Sequence, residues 1–288
     1  MNYRHHYHAG NAADVFKHAL LVALISGMQR KEKGFLYLDT HAGRGAYELE
    51  ETMRLANGRE RAPEWPAGIG KLWTEQAGSL VPFLEIIRRF NRNRGGPDER
   101  PAWYPGSPWI AAELARPVDR LALCELREDD ADALAVELSL RPNVSTRVMD
   151  GYTAVRALLP PPEKRALVLI DPPYESAGEF PDILSALGEG LRRLPGGVFA
   201  VWYPVTERAR TDRFQRDYLA LKPPPTLVVE LRIAGESSEL RMKGCGLLIV
   251  NPPWKIEADL LGLARAVASR LGVDADAGAS AFWLVPES

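Results

Sequence analysis

Hydrophobic positions along this 288-residue chain switch repeatedly between a helical and a strand-like rhythm. Residues 11–30 (NAADVFKHALLVALISGMQR) carry apolar side chains at helical spacing behind Asn11, a good capping residue. That pattern predicts an amphipathic helix. The run 35–38 is short and apolar, and it ends on Asp39 before a glycine-containing loop, as a buried strand would. From about residue 106 strands and helices alternate. SPWIAAELA reads as a helix, RLALCEL as a strand ending at Glu125, DDADALAVELSL as a helix, and VSTRVMDG as a strand ending at Asp150-Gly151. A helix over 152–159, the strand ALVLI ending at Asp171, a helix over 180–194 and the strand GGVFAVWYP follow. Two further strands are predicted at about 226–233 and 245–250. This alternation predicts an α/β fold, a seven-stranded and mostly parallel sheet covered by helices on both faces.

Residues 47–105 break the rhythm. They hold many charges, scattered tryptophans, glycines and prolines, one clear helical segment at 80–90, and no strand pattern. The expectation is a main domain built from 1–46 and 106–288, with 47–105 inserted as a helical subdomain. A chain this long buries enough surface to need no disulfide or metal staple. Cys124 and Cys245 each sit in apolar stretches and read as buried reduced thiols. The five histidines all fall within the first 41 residues, but no carboxylate or cysteine set completes a ligand shell near them, so no metal is expected. The start, MNYRHHYHAGN, lacks the apolar core of a signal peptide, and the apolar run at 20–25 is too short to cross a bilayer. A cytoplasmic protein is expected. The net charge of −2 argues against gripping nucleic acid by overall charge. Two basic runs, Arg88, Arg89, Arg92, Arg94 and Arg30, Lys31, Lys33, are either solvated helix ends or local contacts to a polyanion.

Ligands of a parallel sheet gather at the carboxyl ends of its strands. Four consecutive predicted strands end on an acid: Asp39, Glu125, Asp150 and Asp171. Gly43 and Gly45 in the first loop allow backbone to approach a ligand, and a carboxylate such as Glu125 suits ribose hydroxyls. A phosphate-binding G-x-x-x-x-G-K-[ST] loop is absent, and the glycine spacing does not fit a dinucleotide fingerprint. Asp171-Pro172-Pro173-Tyr174 is the sharpest signal. Two prolines remove two donors and stiffen the loop. The Asp171 carboxylate and the Pro172 carbonyl can then accept the two N–H groups of an aromatic amine, and Tyr174 can lie against its ring. An exocyclic amine has its lone pair delocalised, so holding both N–H groups exposes that pair for methyl transfer, with Asp171 placed to take the proton. Asn251-Pro252-Pro253-Trp254 repeats the pattern after another apolar strand. Strand order favours Asp171, which ends the strand predicted beside the glycine loop.

The sequence resembles class I S-adenosylmethionine methyltransferases acting on amino groups. YRHHYHAGNAADVFKH, FLYLDTHAGRG, WYPGSP, LIDPPYE, WYPV and VNPPWK are similar to the bacterial 23S rRNA (adenine-N6)-methyltransferase family RlmJ, over nearly the whole chain. The resemblance implies a Rossmann-like class I methyltransferase fold that takes S-adenosyl-L-methionine. It implies cofactor contacts from His18, His41, Ser107, Glu125, Asp150, Gly151 and Asp171, with Asp171 as the base. Tyr3 and Arg4 would reach the RNA side together with Pro172 and Tyr174. The implied partner is 23S rRNA, protein-free or in an early assembly intermediate, met by a monomer. Arg44 stands in the glycine loop where an uncharged residue is expected. A base inside a duplex is out of reach, so the target must be flipped or unpaired. Trp202 or Tyr203 could join Tyr174 in stacking on it. The loop alone fits equally the N2 amine of guanine or adenine in DNA, and a non-enzymatic RNA-binding protein on the same fold would show a damaged cofactor site.

Overall fold

The computed structural model describes residues 7–49, 53–54, 60–176 and 178–287. Helix α1 (Ala12–Gln29) leads into β1 (Leu36–Asp39). The stretch that follows carries β2 (Ala46–Glu48), β3 (Met53–Arg54), β4 (Glu60–Arg61), a 3-10 turn at Trp65–Ala67, α2 (Ile69–Leu72), α3 (Val81–Asn93) and β5 (Trp103–Pro105). Then come α4 (Ser107–Leu114), β6 (Arg120–Glu125), α5 (Glu128–Glu137), β7 (Val144–Val148), α6 (Gly151–Leu158), β8 (Ala166–Ile170) and α7 (Glu179–Arg193). The chain closes with β9 (Val198–Val205), α8 (Arg208–Leu219), β10 (Thr226–Arg232), β11 (Gly244–Val250), α9 (Glu257–Leu271) and β12 (Gly278–Val285).

The main sheet has eight strands in the order β12-β10-β11-β9-β8-β1-β6-β7. β7, β6, β1, β8 and β9 are parallel, whereas β11 runs antiparallel to both β9 and β10, and β12 runs antiparallel to β10. The eighth strand, β12, corrects the seven expected. Its GASAFWLV sets a block of small residues before a block of large ones, with no period-two alternation to mark it as a strand, and it forms the sheet's edge.

Period-two alternation sorts the strands onto two cores. Tyr37, Leu121, Leu123, Leu167, Leu169, Leu247 and Ile249 join one, with α1, α4 and α9 over them. Leu38, Ala122, Val168, Ile170, Val201 and Leu248 join the other, beneath α6, α7 and α8. Cys245 belongs to the first core and Cys124 to the second, so the sheet stands between two free buried thiols. Burial pushes the Cys124 thiol up to about 12.

The segment 47–105 is not all helix. β2 and β5 pair at its base and β3 pairs β4. These strands are only two or three residues long, too short to register as a period. Ile69, Leu72, Phe83, Leu84, Ile87 and Phe90 lie in the same core cluster as α1 and α9. The basic run on α3 is mostly spent internally. Arg88 donates to the carbonyls of Trp73 and Glu75, Arg89 pairs with Glu113, and Arg94 pairs with Glu137. Arg30 likewise donates to the Trp254 carbonyl and pairs with Asp259. Among the described residues no helix is long and apolar enough to cross a membrane.

Candidate active site

The carboxyl ends of the parallel strands open onto one cleft of about 1770 Å³. His18, His41, Ser107, Glu125, Asp150, Gly151, Asp171, Pro172 and Tyr174 all line it. Tyr3 and Arg4 lie outside the described residues.

The glycine loop leaves β1 with Gly43 at φ +62°, a left-handed turn that other residues rarely adopt. Glu125, one strand over, fixes it. One of its carboxylate oxygens accepts from the Gly43 N–H at 2.8 Å and the other from the Arg127 N–H at 2.9 Å. Asp150 caps α6 by accepting from the Thr153 N–H at 2.7 Å. Next to it Gly151 presses on the exit of β1, where an added Cβ would sit 2.1 Å from the Thr40 carbonyl oxygen. Only a residue without Cβ brings these two loops so close.

Beneath the loop lies Asp39, fully buried. Its Oδ2 accepts from the Tyr37 hydroxyl at 2.8 Å and the Ser107 hydroxyl at 2.7 Å. Burial raises its carboxyl to about 6, although the Ser107 and Tyr37 hydroxyls pull the other way. The Thr40 hydroxyl donates to the Leu169 carbonyl, so the His41 Nδ1 beside it at 2.8 Å must be the donor in that contact. His41 thus keeps an acceptor lone pair on Nε2, and burial holds the ring neutral, with its value lowered to about 4. His18 is buried and its Nδ1 lies 2.9 Å from the Tyr104 hydroxyl.

Asp171 follows β8. Its Oδ2 accepts from the Lys17 ammonium at 2.5 Å, and the same ammonium lies 2.9 Å from Asp14 Oδ1. Lys17 is buried, and burial alone would lower its pKa, but Asp14 and Asp171 outweigh it and raise it. It is a fixed cation between two acids, with the Trp202 ring 5.9 Å away. Tyr174 sits at φ +52°, donates to the Trp202 carbonyl at 2.5 Å, and packs on Trp202 and Phe180 at 5.7 and 5.3 Å between centroids. Trp202 lines the cleft, whereas Tyr203 does not. Alternation turns Tyr203 into the other core, where it is fully buried and donates to Glu230. The expectation that Tyr203 stacks on a base is therefore corrected.

Lys17 and Asp14 are functional-looking residues that sequence reasoning did not place at the site, whereas Asp39 was read there as a strand-end acid. Asp14 and Lys17 stand three apart on a buried face of α1 that also carries His18, so the sequence showed their charges without showing their partner. Asn251 lies elsewhere. It ends β11, which runs against its neighbours, so it emerges at the opposite edge of the sheet from Asp171. There its amide donates to the carbonyls of Pro195 and Gly197 at 2.8 and 2.9 Å, while its backbone takes φ +49°. Strand direction, more than distance along the sheet, excludes it from the site.

Residues 32–285 match the family described as RsmJ: Ribosomal RNA large subunit methyltransferase D, RlmJ. The chain is 37% identical to the Ribosomal RNA large subunit methyltransferase J of Haemophilus influenzae and 35% identical to that of Escherichia coli K12, each over 100% of both chains. The crystal structure of protein LPL1258 from Legionella pneumophila str. Philadelphia 1 superposes with a TM-score of 0.83 at 31% identity, covering 96% of this chain and 97% of that one. The left-handed turn at Gly43, the two-pronged Glu125 and the clamped Gly151 suit S-adenosylmethionine, the cofactor of class I methyltransferases. Fold, cleft and likeness over the full length agree, and the chain belongs to the RlmJ family of ribosomal RNA large subunit methyltransferases.

Proposed function

We propose that this protein methylates the N6 amine of a specific adenine in 23S ribosomal RNA. The observation that carries the reading is Asp171-Pro172-Pro173-Tyr174 at the carboxyl end of β8, inside a cleft that Glu125, Asp150 and Gly151 also line from the neighbouring strand ends. S-adenosylmethionine supplies an electrophilic methyl group. The protein presents the nucleophile to it.

Asp171 Oδ1 remains open for an amine N–H, because Lys17 occupies Oδ2. The buried Lys17 ammonium holds the carboxylate in place through Oδ2 and turns Oδ1 toward the cleft side of the loop as an acceptor. The Pro172 carbonyl takes the second N–H, which exposes the nitrogen lone pair. Tyr174, tethered to Trp202, offers a ring for the base. Asp171 takes the proton as the methyl bonds to nitrogen. Much of the rate comes from positioning. Such a site admits a base only when it is flipped or unpaired. In this reading the enzyme acts in the cytoplasm as a monomer, on protein-free RNA or an early assembly intermediate, with residues 47–105 as an inserted subdomain.

The test is methyl transfer onto protein-free 23S rRNA, intact large subunits and duplex DNA, followed by mapping of the modified base. Label at adenine N6 in rRNA is expected. Label confined to DNA, or to guanine N2, would overturn the reading.

A further inference from the structure

The cofactor set belongs to the ends of β1, β6 and β7, so it covers one side of Asp171. The nucleotide must reach Asp171 from the other side, over β9 and β11. Four arginines line the cleft: Arg44, Arg127, Arg210 and Arg241. Arg127 is committed to Asp129 and Asp130. Arg44, Arg210 and Arg241 are exposed and form no ion pair with any described residue. Most arginines of α3, and Arg208 on α8, are in contrast held by carboxylates or carbonyls.

Arg44 lies in the glycine loop, on the cofactor side. Arg210 and Arg241 rise from a single corner on the other side. The Lys243 N–H donates to the Val205 carbonyl at 3.0 Å, and Gly244 pairs with Val205. That contact pins the β10–β11 connection, bearing Leu240, Arg241 and Met242, against the end of β9. Five residues past Val205, Arg210 projects from the first turn of α8. Its guanidinium lies over the Phe180 ring at 5.1 Å, and Phe180 packs on Tyr174. This cation is thus ordered by the same aromatic cluster that holds the tyrosine of the Asp171 loop. Glu175 and Glu207 share the cleft wall, so an RNA chain entering here meets repulsion unless cations offset it.

We propose that Arg210 and Arg241 hold the RNA phosphodiester backbone beside the nucleotide whose base enters the cleft. This rests on RNA being the substrate. The two arginines position the strand without touching the reacting atoms, and planar guanidinium groups match phosphate oxygens in pairs. Their contribution is electrostatic and independent of sequence, and it appears in the salt dependence of binding.

The experiment compares wild type, the Arg210→Ala/Arg241→Ala double variant, the corresponding double Lys variant, and Arg265→Ala on the exposed face of α9 as a control for total charge. Methyl transfer to protein-free 23S rRNA is followed between low and moderate salt, with cofactor affinity measured by calorimetry and folding by thermal melts. The Ala pair should raise KM with kcat and cofactor affinity held. The slope of log affinity against log salt should become shallower by about 1 per arginine. The Lys pair should recover most of that slope, and Arg265→Ala should match wild type. An unchanged slope, or a fall in kcat at constant KM, overturns the assignment while leaving the RNA reading intact. Absence of RNA methylation by the wild type itself sinks both.

Discussion

Two loops of this molecule share one pattern and have opposite fates. Asp171-Pro172-Pro173-Tyr174 and Asn251-Pro252-Pro253-Trp254 each follow a fully buried strand, and each puts a polar residue, two prolines and an aromatic at its exit. In both, one residue takes positive φ: Tyr174 in the first, Asn251 in the second. β8 is parallel to its neighbours and delivers its loop to the cleft, while β11 is reversed and delivers its loop to the far edge. There the polar side chain ties off two backbone carbonyls, and Trp254 stays 69% exposed. A motif's chemistry therefore depends on the direction of the strand that carries it.

Removing the acid should separate the two loops most sharply. Asp171→Ala is expected to cost about 10²- to 10⁴-fold in turnover. Calorimetry should show cofactor binding largely retained, and an equal loss of affinity and rate would count against Asp171 as the base. Next in size is Lys17→Met. It strands Asp14 beside Asp171 without a cation, and breaking a buried pair costs about 3–5 kcal/mol. Denaturant unfolding would read this loss, and an unchanged midpoint would show that the ion cluster adds no net stability. Asn251 has the complementary phenotype. Asn251→Ala orphans the carbonyls of Pro195 and Gly197 and puts a Cβ without local hydrogen bonds at positive φ, costing about 1–3 kcal/mol. Turnover per folded molecule should stay at the wild-type level, and a catalytic loss at full folding would contradict the contrast.

The smallest effect is on pH dependence, and it belongs to the cleft edge alone. Asp39 is raised to about 6, so its native form binds the proton more tightly than the unfolded chain does. Its contribution to stability therefore falls as pH rises from about 4 through about 6. His41 is lowered to about 4, so the unfolded chain binds its proton first and stability is lost as pH falls from 6.5 toward 4. The two slopes oppose each other in one window. Melting curves of Asp39→Asn should show stability rising with pH there, and those of His41→Gln should show it falling. Parallel behaviour of both variants would refute the pairing of signs.

Much of the sheet was legible because β1, β6, β8, β9 and β11 are apolar runs bounded by turns, and a residue at a strand's end is at the ligand edge by construction. Glu125, Asp150 and Asp171 were found that way. The reversal of β11 was not legible, since an apolar run carries no sign of direction. Neither was Lys17, whose charge only makes sense once α1 lies across the end of β8 and brings Asp171 to it from 154 residues away. The strands of the insertion were missed because each is two or three residues long.

The place of β11 between β9 and β10 also governs the order in which the protein can be made. On a ribosome β10 emerges before β11, yet its sheet partners are β11 and β12, both still to come. Until residue 250 is released, β9 has a bare edge and the wall carrying Arg241 has nothing to pin it. The parallel half can assemble early, but the cleft wall beside β9 waits for the last sixth of the chain. A nascent polypeptide truncated before β11 should thus resemble the parallel half of the sheet with an exposed strand edge, the kind of intermediate that aggregates readily.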